Sequence, residues 1–298
     1  MTPRHVALLG ALAGIWGASY LLIKYALEDF SAGEIVFLRT ALASLVLLIV
    51  VRVQGGAAWA ALRDVPRGRP KAALLLGVTA VAAPFLLITF GEKAVPSGLT
   101  AVLIAPASLF VAAFAPFLDR SEAIDRERAG GLVLGLVGVG LLVGVETIHS
   151  LDAFLGALAI LAASALYALS SFVVKGPFGG VPSIVSSAVS CLVAVPLTLP
   201  IAAATLHGDA PGLRAILAVV GLGVVGTALA FVIFYALIGE IGAGRASLVS
   251  YLAPAVALFY GAVFLDEKVG IAAIAGLALI LGGVAVAGRR KAVPEPAG

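Results

Sequence analysis

Two Ala-Pro steps, Ala105-Pro106 and Ala253-Pro254, interrupt long apolar runs. A proline inside a helix removes one backbone hydrogen bond and frees the carbonyl four residues earlier, here Val102 and Ser250. Each step can therefore act as a hinge or offer a polar backbone group to a solute. At similar depth in neighbouring runs stand Trp16, Ser19, Tyr20, Thr79, Tyr167, Ser171, Thr227, Phe231, Ser250 and Tyr251. These are aromatic faces and neutral hydrogen-bonding groups, suited to holding an amphipathic solute, and Trp16 with Tyr167 could form an aromatic wall. Arg39 is the one charge well inside an apolar run. A charge at a bilayer centre costs on the order of 3 kcal/mol, so Arg39 must face protein or water. It could attract a carboxylate, or pair with Glu34, Glu28 or a helix C-terminus as a brace at a gating position. We favour the brace.

The elements that position these residues follow from composition. The 298 residues are 62% hydrophobic and 12% charged, with mean hydropathy +1.16, where a soluble domain carries about 25% charged residues. The chain belongs in a lipid bilayer. A crossing helix needs about 20 apolar residues, and ten runs meet or approach that length: 6–23, 35–51, 72–91, 97–118, 129–145, 153–174, 183–206, 215–239, 246–265 and 269–288. Between the second and third lies a polar linker, Arg52 to Lys71, and after residue 288 a Pro-containing polar tail, 289–298, expected to be disordered. Of the 19 lysines and arginines, 14 fall on the side of the termini, 4 on the other side and Arg39 within a run. The bias places both termini in the cytoplasm, and it explains the net charge of +3 without a nucleic-acid partner.

The runs repeat. Pro106 and Pro254, Gly91-Glu92 and Gly239-Glu240 are each related by 148 positions, and Trp16, Ser19 and Lys24 have looser counterparts in Tyr167, Ser170 and Lys175. Pro254 to Glu267 spans 13 positions and Pro106 to Glu122 spans 16, while Glu to Gly is 9 in both copies. Five runs per copy, residues 1–146 and 147–288, force the second copy into the membrane in the opposite sense. The fold class is thus an all-α integral membrane protein of ten transmembrane helices in two inverted five-helix repeats, an arrangement recurrent in secondary transporters. Glycines at 131, 135, 140, 144, 276, 282 and 283 allow close helix packing, which we read as intramolecular packing in a monomer.

Trp16-Gly17-x-Ser19 with Lys24 after it, Arg39 in the second span, and the duplicated Pro-to-Glu-to-Gly pattern resemble the drug/metabolite transporter superfamily, and within it the EamA-type ten-span exporters. The likeness covers almost the whole chain. It implies an inner-membrane exporter of metabolites with a central cavity lined mainly by spans 1, 3, 4, 6, 8 and 9. Bacterial members include exporters of amino acids, aromatic ones among them. Export of drugs or other metabolites, or uptake, are the alternatives.

Glu28, Glu34, Glu92, Glu146, Glu240 and Glu267 all sit near span ends. This argues against a buried carboxylate relay and for facilitated export or coupling through an end-located glutamate. Asp266-Glu267 is expected at the outer surface and its counterpart Glu122 at the inner one. His5, His149 and His207 lie outside the spans without metal-ligand spacing, no GxxxxGK[ST] loop exists, and no nucleophile and base converge. The expectation is a carrier that is not an enzyme, with no cofactor and no metal, whose partners are a small solute and the bilayer.

Overall fold

A computed structural model of the chain describes residues 2–118, 126–146, 150–208, 210–241 and 249–287. Asp119, Glu122, His149 and the 289–298 tail lie outside the described residues, as does the side chain of Tyr251. Every regular element described is a helix. α1 (Pro3–Ala26) starts at Thr2, whose hydroxyl accepts the His5 N–H. α2 (Ala32–Gln54) starts at Ser31, which accepts the Glu34 N–H at 3.1 Å while the Glu34 carboxylate accepts the Ser31 N–H at 2.8 Å. Such reciprocal caps satisfy donors left over in a first turn. A short helix α3 (Gly56–Gly68) follows.

The third span is composite: α4 (Pro70–Gly77), a π-helical turn (Val78–Ala82) and α5 (Ala83–Gly91). The fourth breaks at its proline into α6 (Ser97–Ile104) and α7 (Ala107–Leu118). Then come α8 (Arg126–Glu146), α9 (Leu151–Lys175) and α10 (Ser183–Ala204). The eighth span repeats the design of the third, with α11 (Leu213–Val220), a π-helical segment (Gly221–Leu229) and α12 (Ala230–Ile241). α13 (Val249–Phe264) and α14 (Ile271–Ala287) complete the chain. Seven spans are long apolar helices and three are shorter, within α8, α13 and α14.

The helices pack in related pairs. α8 lies on α14, and α2 on α10. α1 meets α13 and α11, while α9 makes the corresponding contacts with α7 and α5. The α8–α14 seam is built by small residues: a Cβ at Gly138 would meet the Gly276 backbone at 2.9 Å, and one at Gly283 would meet Gly135 Cα at 2.9 Å. Gly140, by contrast, faces open space. Leu45, Ile49, Val133, Leu136 and Phe259 are exposed, whereas Thr40, Thr100, Ser164, Thr198 and Thr227 are fully buried. Polar groups inside and aliphatic ones outside are what a lipid solvent selects.

Two expectations need correction. The Arg52–Lys71 stretch, read as a polar linker, contains α3. Trp59, Leu62 and Val65 recur every third residue and pack on α2 and α10, with Arg52 over the Trp59 ring at 5.5 Å. The proline breaks are also unequal. At Pro106 the Val102 carbonyl, expected to be free, accepts the Ala105 N–H at 3.2 Å, and it is Ile104 whose carbonyl is taken by the Ser164 hydroxyl of α9 at 3.0 Å. At Pro254 the helix continues without interruption.

Candidate substrate-binding site

Arg39, on the second turn of α2, is 7% exposed. Its Nε donates to the Thr227 hydroxyl at 2.8 Å, and its guanidinium lies over the Phe85 ring at 3.9 Å. Tyr167 of α9, Tyr20 of α1, Cys191 of α10 and the Glu92 carboxyl are near enough to act on its charge. Five elements thus converge on one guanidinium. Of the brace partners expected, Glu34, Glu28 or a helix C-terminus, the two acids are engaged elsewhere, and Thr227 and Phe85 hold the guanidinium instead. Glu34 caps its own helix and reaches His207 at 3.5 Å, while Glu28 pairs with Arg214 at 3.4 Å. Among the described residues, no carboxylate lies within ion-pair distance of Arg39. Span 2, outside the cavity lining that the resemblance implies, supplies the central charge.

Thr227 can accept from Arg39 because the π-helical segment lets its own hydroxyl donate five residues back, to Leu222, at 2.9 Å. Thr79, its counterpart 148 positions earlier, lies in the other π turn and donates to the Leu75 carbonyl at 2.7 Å. Tyr20 and Tyr167 are half-buried. They belong to one packed cluster with Ile23, Ile88 and Ala163.

The remaining candidates are distributed differently. Trp16 is one helical turn from Tyr20 on the same face of α1, but its ring stacks on Phe234 of α12, with centroids 5.2 Å apart at 56°. Tyr20 and Tyr167 share one packed cluster, and Trp16 packs in a neighbouring one with Phe234. Ser19 is buried against Gly226 and donates to the Ile15 carbonyl at 3.1 Å, so it joins helices. Ser171 is exposed and bonded to the Ala168 carbonyl at 2.6 Å, and Ser250 is exposed. Phe231 is half-buried beside the core of α2, α5 and α10. Pro106 and Pro254 are both buried. Phe85 went unnoticed in the sequence, since a phenylalanine in an apolar run carries no mark of the cation above it.

Lys24, Glu92 and Glu267 meet at one end of the bundle, and one expectation fails there. Glu92 does lie at a span end, but the expectation of no buried carboxylate fails: it is 0% exposed, and neither carboxylate oxygen is hydrogen bonded among the described residues. The turn between α5 and α6 is tucked against α1, where the Lys24 ammonium donates to the Glu92 backbone carbonyl. Glu267, half-buried beside the exposed Asp266, is a helix-end acid. Asp266 adopts a left-handed φ of 52°, which turns the chain back so that the Glu267 carboxylate accepts from Ser97 N at 2.7 Å and Gly98 N at 3.0 Å. It thereby caps α6, satisfying donors at a helix N-terminus. At the opposite end Glu240, 36% exposed, accepts from Arg4 at 2.8 Å and is 3.0 Å from His5 Nε2. These partners hold its carboxyl below the usual range, His5 most strongly.

Among the described residues, no three His, Cys, Asp or Glu side chains gather as metal ligands. A lateral pocket of about 310 Å³ between α3, α4 and α10 is lined only by apolar side chains such as Pro66, Leu74 and Val193. It offers no polar chemistry.

Comparison with known proteins agrees with this architecture. The chain is 24% identical over 278 residues to an uncharacterized transporter of Archaeoglobus fulgidus, covering 93% of this chain and 95% of that one. It is 26% identical to a probable terminal-alkyne amino-acid exporter of Streptantibioticus cattleyicolor, covering 92% and 90%. It is 27% identical to a probable amino-acid metabolite efflux pump of Salmonella typhimurium, covering 91% and 90%. A solved crystal structure, 21% identical, superposes with a TM-score of 0.68 over 97% of both chains, which shows a shared fold. The model of the EamA-like transporter family matches residues 5–144 and 154–289. This multi-pass membrane protein belongs to the EamA-like transporter family, a family of transporters and not of enzymes.

Proposed function

We propose that the protein is a secondary exporter of amino acids, neutral or aromatic, working by alternating access between its two repeats. The observation that carries this reading is Arg39, a buried guanidinium held by a hydroxyl and an aromatic ring with no carboxylate partner among the described residues. Of its five N–H donors only the one on Nε is used among the described residues, leaving the fork for a solute carboxylate. Tyr20 and Tyr167 supply apolar faces and hydroxyls for the rest of the solute. The names of the two exporter relatives favour the same class. The excess of positive charge at the terminal end supports an orientation with both termini in the cytoplasm of an inner membrane. The internal use of the α8–α14 glycine seam supports a monomer.

Counterflow of labelled amino acids in proteoliposomes tests the reading. Some neutral or aromatic amino acid should exchange, and Arg39→Lys, which keeps the charge but loses the planar fork, should lower exchange by about tenfold or more. Exchange unaltered by Arg39→Lys, or no exchange of any amino acid, would overturn it; movement of other organic solutes alone would point to a different substrate class.

A further inference from the structure

We propose that Glu92 is a proton-binding site whose occupancy closes the Lys24 end of the transporter. The site is geometric. The carboxyl is 0% exposed, and neither Oε1 nor Oε2 has a hydrogen-bond partner among the described residues. The nearby ammonium of Lys24 is directed to the backbone carbonyl of Glu92, and no cation lies within 4 Å of its carboxyl oxygens among the described residues. A carboxylate asks for several donors, and burying it without any costs far more than burying the neutral acid. This buried arrangement is therefore that of a carboxyl carrying its proton.

The groups facing Glu92 come from several elements. α1 brings Lys24 and Tyr20, α2 brings Arg39, and the turn after α13 brings Glu267. The Glu267 carboxylate is committed to the N–H groups of α6. α9 packs on α5 through Gly91 and Gly156, and Asp152 in its first turn is exposed. When this end opens, water reaches the carboxyl, which ionises and gives its proton to the solution on that side. When it closes, the proton returns from the same side. The step carries no net charge across the membrane; it makes closure depend on the pH of one compartment. Glu240, 148 positions later and at the opposite end, shows the other condition, exposed and held by Arg4 and His5. One end carries a buried glutamate without a hydrogen-bond partner among the described residues, and the other an exposed, paired one.

The test needs no substrate, so its failure is distinct from failure of the amino-acid reading. Spin labels at the exposed Lys93 and Lys268 positions, as cysteines in a Cys191→Ser background, report the distance across this end. Between about pH 9 and about pH 5 the short-distance population should grow by about tenfold relative to the long one. Glu92→Gln should hold the short distance at every pH, Glu92→Asp should shift the midpoint, and Glu267→Gln should keep a pH-dependent profile. A flat profile in the parent protein, a parental profile in either Glu92 variant, or loss of the profile in Glu267→Gln alone would overturn the proposal.

Discussion

Arg39 enters a medium that charges about 3 kcal/mol for it. A hydrogen bond to a charged group returns about 1.5–3 kcal/mol, and a desolvated cation over an aromatic ring about 2 kcal/mol. Thr227 and Phe85 can together offset the cost, so no acid is required and the outer nitrogens stay available. The sequence located the arginine but named the wrong partners, because both acids nearest in the chain were already committed, one to a helix cap and one to Arg214. Hydroxyls posed a related difficulty. Ser19, Thr79 and Ser171 bond carbonyls of their own helices, and only the packing separates buried Thr79 from exposed Ser171. Trp16 belongs to this scale too. Trp16→Ala removes the ring stacked on Phe234 one turn from Tyr20, and we expect exchange to fall by roughly tenfold, about 1.4 kcal/mol, with the variant still monodisperse. Full activity at normal expression would remove Trp16 from the solute path.

Spans were legible because apolar length is local. α1 covers 3–26 where hydropathy indicated 6–23, and Ser97–Leu118 coincides with its reading. Facing was not legible, since lipid and core are both apolar and a span shows no polar side to mark its outer surface. The amphipathic α3 was missed for the converse reason, its three inward residues being diluted by arginines. The breaks within spans escaped for yet another reason. The two π-helical segments carry no proline at their centres, and only Thr79 and Thr227, in equivalent positions, hint at them. Helix contacts give the sharpest element-level expectation. A Cβ at Gly135 meets Leu109, with Leu109 Cγ at 3.2 Å, whereas one at Gly140 meets nothing within 4 Å. Gly135→Leu should destabilise the protein by about 1–3 kcal/mol or prevent assembly, while Gly140→Leu should be silent. Thermal unfolding in detergent, followed by size-exclusion fluorescence, distinguishes them, and equal behaviour of the two would refute the close contact of α8 with α7.

For the whole molecule, the two ends differ in how their glutamates are held. The Glu240 carboxyl is held below the usual range by His5 and Arg4, so its contribution is present above the ordinary glutamate value and disappears as pH falls through the depressed one. The thermal stability difference between the parent and Glu240→Gln should therefore be seen at neutral pH and vanish in acid. A difference that persisted or grew in acid would contradict the sign. The contacts at each end also explain why the repeat was readable before the fold. Residues at equal offsets occupy equivalent places, as Thr79 and Thr227 do in the two π-helical segments and Glu92 and Glu240 do at opposite ends. What the offset could not reveal is that equivalent places need not be in equivalent states.

The bond between Arg39 and Thr227 spans 188 positions, and synthesis makes that separation a waiting time. At about 5–20 residues per second, the guanidinium is in the membrane for roughly 10–40 s before its hydroxyl partner is made. Phe85, only 46 positions on, arrives within roughly 2–10 s at the same rate. The ring beneath the arginine is thus also its escort during biogenesis, shielding the charge in a half-built protein until the second repeat arrives to take it over.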